Sequence, residues 1–152
     1  MPTRPLRTPP TRDFPTIRRS LIFYKTFAYA TGTALLCVTA EVILRYVFRL
    51  QVEVGGPEGL VALVPALTSH LSNLSLIVLI GHGYLYIAYL ISDFVLITVM
   101  RYPITRFIVI ALGGVVPFLS FITERRVHQE VAGYLAEREE RERAKAAAAA
   151  SA

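Results

Sequence analysis

The sequence is poor in the residues that most chemistry needs. It has one cysteine in 152 residues, so an intrachain disulfide is excluded and the redox compartment cannot be read from thiol usage. Cys37 lies inside an apolar run, where it is expected to pack as a small apolar side chain. There is no nucleophile-and-base motif, no phosphate-cradling glycine loop and no cofactor fingerprint, so neither an enzyme nor a bound cofactor is expected. Metal ligation needs three or four convergent donors. His82, Glu41 and Asp93 fall at no recognised ligand spacing, and His70 and His128 lie outside the apolar blocks, so no metal site is expected. The chain is too short for a separate soluble module.

What the chain has is apolar sequence in blocks. Hydrophobic residues make up 54%, mean hydropathy is +0.50, and the apolar residues are bunched instead of following an amphipathic period. About 20 consecutive apolar residues span a hydrocarbon core of roughly 30 Å. Three blocks qualify: Tyr24–Leu44, Leu74–Met100 and Ile104–Thr123. The reading is an all-α membrane protein with three transmembrane helices, over 24–47, 74–100 and 104–123, plus a charged C-terminal helix. Ala28-Tyr29-Ala30 resembles a signal-cleavage site, but the apolar run before it is short and broken by Lys25, so the first block reads as an uncleaved span.

Residues 1–20 are rich in proline, threonine and arginine and read as a disordered basic tail. Arg4, Arg7, Arg12, Arg18 and Arg19 suit an anionic inner membrane surface as a topology anchor. One aromatic, Phe14, and no following module leave nucleic-acid binding unsupported. Gly55-Gly56-Pro57 marks a loop. Gly59–Leu67 is apolar but too short to cross, so 59–71 reads as interfacial or re-entrant, with part of a fourth span as the alternative. Arg101-Tyr102-Pro103 forms a turn, and Pro103 suits the first position of the third helix. Pro117 should kink that helix, and Gly113 and Gly114 allow close approach of a neighbour.

After Thr123 the chain is strongly charged. Val127, Val131 and Leu135 make a narrow apolar stripe, and Glu137–Arg141 and Glu139–Arg143 are favourable i,i+4 pairs. Residues 128–152 therefore read as a charged helix fading into an alanine-rich tail. With three spans, basic residues near the span ends favour a cytoplasmic N-terminus and an external C-terminus.

On a helix, His82, Tyr86, Tyr89 and Asp93 share one face. An Asp at the centre of a span costs about 2.5–3.5 kcal/mol on insertion scales, so such a face turns toward a partner. Glu41 and Arg45 lie one turn apart and can pair locally. The alternative sets Glu41 against His82, with Asp93, Tyr86 and Tyr89 completing an intramembrane polar site. Gly32, Gly83, Gly113, Gly114 and Pro117 are the expected helix-packing positions, and Gly81-His82-Gly83 suggests a closely approaching backbone.

The order of these features resembles the YdzA-like integral membrane family of unknown function (DUF3817), in its actinobacterial branch. The resemblance covers roughly Tyr24 to Val127. It rests on Tyr29, Gly32, Glu41, Arg45 and Tyr46, then on His82-Gly83 with Tyr86 and Tyr89, then on Gly114, Pro117, Ser120, Phe121 and Glu124-Arg125-Arg126. Tyr84 and Tyr102 stand where tryptophan is expected, and Thr31 where other branches carry an acid. The resemblance implies a three-span protein of the bacterial plasma membrane and little about mechanism. The expected partners are the lipid bilayer and either a second copy or another membrane protein, in an accessory or oligomer-forming helical bundle. The alternative is proton or ion handling around His82.

Overall fold

A computed structural model describes residues 5, 7–57, 59–66 and 74–151. Helix α1 runs from Phe14 to Tyr46, with Pro15 in its first turn, where a missing N–H costs nothing. A 3-10 turn over Thr11–Asp13 leads into it. Beyond α1, Arg49 takes a positive φ of 56°, and strands β1 (Leu50–Gly56) and β2 (Gly59–Pro65) follow. Helix α2 spans Leu74–Met100. After it come α3 (Ile104–Ala111), a 3-10 turn over Leu112–Gly114, and α4 (Leu119–Ala150).

The strands pair antiparallel, in register from Leu50↔Pro65 to Gly56↔Gly59. The fold is therefore mostly helical but not all-α. Gly59–Pro65, expected as an interfacial or re-entrant segment, is a strand. Val52, Val54, Val61 and Val64 favour extended backbone, and Gly55 and Gly59 take the positive φ that the turn region demands. Pairing gives the polar backbone of a run too short to cross its hydrogen-bond partners. Residues 67–71, including His70, lie outside the described residues.

Among the described residues, helices α1 and α2 are the two long and apolar enough to cross a membrane. They pack antiparallel: Thr31 Oγ1 donates to the Leu85 carbonyl at 3.0 Å, and the Tyr24 and Tyr89 rings lie 5.8 Å apart. The Arg101–Pro103 turn, with Arg101 at φ 56°, directs α3 back alongside α2.

The 104–123 block does not form one helix, which corrects the three-span expectation. It breaks after Ala111, and Phe118 adopts a left-handed conformation at φ 67°. Pro117, which lacks an N–H, precedes that reversal. The break turns the chain around instead of kinking it. Arg106 of α3 is ion-paired with Glu130 of α4, so the two helices form an antiparallel hairpin. Its tip reaches only the middle of α1 and α2. There Tyr86 Oη donates to the Ala111 carbonyl at 3.2 Å, and Ser120 Oγ donates to the Ala28 carbonyl at 2.8 Å. From that level α4 returns toward the start of α1, where Arg18 pairs with Glu139 at 2.8 Å. The start of α1 and the outer half of α4 thus share one end of the bundle, contrary to the expected opposite termini.

The core sits at that shared end. Phe14, Ile17, Leu21, Tyr24 and Ala28 of α1 cluster with Leu96, Ile97 and Met100 of α2 and with Val127, Val131 and Leu135 of α4. Residues 14–20, read from composition as disordered, are helical because Phe14 and Ile17 begin this buried row. Glu137–Arg141 pairs as expected, but Glu139 reaches across to Arg18 instead of Arg143.

Candidate functional site

The tyrosines of α2 seat the hairpin tip. Carbonyls in the last turn of a helix lack intrahelical donors, and those of Ile110 and Ala111 stand where α3 stops. Tyr89 Oη donates to Ile110 at 2.7 Å and Tyr86 Oη to Ala111. His82, Tyr86 and Tyr89 form a stacked ladder with successive ring centroids 6.2 Å apart. Gly114 packs against it so closely that a β-carbon there would stand 2.5 Å from Tyr86 Cε2. A β-carbon on Gly113 would come 3.3 Å from Tyr89 Oη, and one on Gly32 would come 3.1 Å from the Phe121 ring. These three glycines are packing positions. Gly81 and Gly83 face open space, so no backbone among the described residues approaches them.

Beside the ladder is a buried polar cluster. Asp93 and Ser92 are fully buried, Tyr24 likewise, and Glu124 is 2% exposed. Both carboxyl oxygens of Asp93 and Oε1 of Glu124 lack hydrogen-bond partners. Asp93 and Glu124 both act electrostatically on the Tyr24 phenol, which lies beside Tyr89. Arg106 acts on Asp93 in turn. Its guanidinium is ion-paired with Glu130 and lies 4.0 Å from the centroid of the Tyr102 ring. Burial pushes the Tyr102 phenol above its ordinary range, with Arg106 opposing that shift.

Tyr86, Tyr89 and Asp93 therefore share a face, as helical spacing requires. Glu41 and His82 stand apart from this cluster. Glu41 lines a groove with Val38, Val42, Arg45, Leu76 and Leu79, and its Oε2 is buried without a partner among the described residues. No ion pair joins it to Arg45 among the described residues. His82 is half-buried, one turn beyond Leu79, and its Nδ1 is also buried and unpartnered.

Sequence reasoning missed Tyr24, Arg106, Glu124 and Glu130. Glu124 was within reach: it precedes the stripe Val127, Val131, Leu135 by one turn and continues its face. Hydropathy placed it outside the membrane block and hid that relation.

The sequence profile described as "Domain of unknown function (DUF3817)" matches residues 21–129. An uncharacterised protein of Mycobacterium tuberculosis is 26% identical over 115 residues, covering 76% of this chain and 78% of its own length. One from Mycobacterium leprae is 27% identical over 124 residues, covering 80% and 84%. No solved structure matches the chain. The matched region contains the ladder, Asp93, Arg106 and Glu124, and ends just before Glu130.

Proposed function

We propose that this chain, which belongs to the DUF3817 family, is an integral protein of the bacterial plasma membrane that acts through helix–helix association, as a homo-oligomer or an accessory subunit. In this reading α1 and α2 cross the bilayer, and the α3–α4 hairpin enters and leaves from one side. Exposed Ile77, Ile80, Ile87 and Ile91 on α2 then meet lipid, as do Leu112, Val115 and Phe118 at the hairpin tip. So much contiguous apolar surface is out of keeping with a water-facing monomer.

The observation that carries the reading is where the hairpin stops. Beyond its tip no third helix packs on α1 and α2 among the described residues; strand β1 meets them there, and no described side chain is buried on α1 after Leu35 or on α2 before Tyr89. Glu41 and His82 lie in that half with atoms that find no partner among the described residues. Polar groups at membrane depth face a bundle interior, so a helix from another polypeptide is the natural complement. Cysteine crosslinking tests this. In a Cys37→Ala background, Leu79→Cys should give an intermolecular adduct in native membranes, with a second copy or with a reproducible partner. A chain that stays uncrosslinked, and purifies in mild detergent as a monomer without companions, overturns it.

A second reading rests on Asp93 and Glu124. Carboxyl oxygens without donors inside a helical bundle suit proton or ion handling, at this cluster instead of around His82. A buried polar group lacking a partner costs about 1–3 kcal/mol, and Arg106 keeps Glu130 if Asp93 is removed. Asp93→Leu is therefore expected to raise stability by about that amount, measured by thermal unfolding in detergent, while abolishing any proton flux in proteoliposomes. Flux equal to wild type rejects this role.

A further inference from the structure

We propose that the outer groove between α3 and α4 is a binding site for an anionic phospholipid. The groove encloses about 380 Å³, and its two ends differ in chemistry. Val109, Ile110, Leu119 and Ile122 line the part toward the hairpin tip, and Thr105, Thr123 and Arg126 line the part toward the charged end. A lipid has the same division, an acyl chain joined to a phosphate.

The charges in the groove differ in availability. Arg106 is held by Glu130 and by the face of Tyr102, so its charge is matched within the protein. Arg126 is exposed and makes no ion pair among the described residues. A phosphate beside Arg126, with hydroxyl donors from Thr123 and Thr105, leaves the apolar part of the groove for one acyl chain. Basic pockets between helices on the cytoplasmic side of a membrane have this character. The groove also opens toward the end of the bundle where Arg12, Arg18, Arg19 and Arg101 gather, and anionic lipid is enriched beside such residues. An acidic peptide would meet the charge but leave the apolar wall without a complement.

The proposal rests on the membrane reading above, and its test separates the two. The chain has no tryptophan, so Ile122→Trp installs a single fluorophore on the groove wall. Val109→Trp serves the same purpose from the facing helix if the first variant folds poorly. In vesicles, quenching by brominated phosphatidylglycerol is compared with quenching by brominated phosphatidylcholine. One arginine near a membrane surface favours an anionic headgroup about fivefold, so phosphatidylglycerol should quench at about one-fifth the mole fraction. Adding Arg126→Gln should bring the two lipids to parity. Equal quenching with Arg126 present, or a preference that survives Arg126→Gln, overturns the lipid site and leaves the membrane reading standing. Quenching that disappears as protein is concentrated assigns the groove to a second copy, which also overturns it. No quenching by either lipid overturns the membrane reading itself.

Discussion

Alkaline phosphatase fused to either end of the chain is expected to be inactive, while the same enzyme inserted beside Pro57 in the β1–β2 turn is expected to be active. That enzyme works only outside the cytoplasm, so the pattern reports both termini inside and the strand hairpin outside. The expectation follows from the reversal at Pro117–Phe118, which sends α4 back toward the start of α1. It also follows from charge. Of the basic residues whose placement is described, only Arg45 and Arg49 belong to the end of the bundle that carries the strands. The others lie on the opposite half, and basic residues near span ends are retained in the cytoplasm. Counting along a three-span chain divided the charges and favoured opposite termini; folding the hairpin back gathers them. The difference in reporter activity should approach all-or-none, and an active C-terminal fusion would mean that α4 leaves on the other side.

The second large effect is expected at Gly114. Its φ is not in the left-handed region, so the obstacle to a side chain is space alone. A β-carbon would stand 2.5 Å from Tyr86 Cε2 and 3.2 Å from Tyr89 Cδ1. Tyr86 cannot yield freely, because it is stacked between His82 and Tyr89 and bonded to the Ala111 carbonyl. Overpacking a well-filled site costs about 1–3 kcal/mol, and losing the tyrosine's hydrogen bond adds about 1 kcal/mol. Gly114→Val should therefore cost about 2–4 kcal/mol and unseat the hairpin, seen as a lowered melting temperature and faster proteolysis between α3 and α4. Gly83→Val is the matched control. Nothing lies within 4 Å of a β-carbon there, and stability should change by less than about 0.5 kcal/mol. Equal effects of the two substitutions would mean that the ladder does not hold the tip.

Much of this arrangement is legible in the sequence. The His82, Tyr86, Tyr89, Asp93 face follows from helical period, and the closeness at Gly32, Gly113 and Gly114 follows from small residues in apolar runs. The family was legible too, because His82-Gly83 with Tyr86 and Tyr89, and Gly114 with Pro117, recur in fixed order. The local pairing of Glu41 with Arg45, expected from their spacing, does not form among the described residues, since one turn of separation permits an ion pair without requiring it. Glu139 had two basic residues within reach and took the distant one, Arg18, because helix docking brought it within 2.8 Å.

Composition and period determined that the chain is mostly helical, that it carries three apolar blocks, and that the second of them has a polar face. These are properties of segments, and hydropathy reads segments well. Tertiary structure decided where the segments go, and only the structure reduced the helices long and apolar enough to cross a membrane to two among the described residues. A proline in an apolar block signals an interrupted helix, but kink and reversal both satisfy its missing N–H. The choice went to reversal because Tyr86 and Tyr89 supply donors to Ala111 and Ile110, Gly114 fits beneath the ladder, and Ser120 anchors the start of α4 on Ala28. The same reversal buried Glu124, brought Arg106 to Glu130, and set the start of α1 and the outer half of α4 at one end. Each of these needs partners from distant parts of the chain, which no local pattern contains.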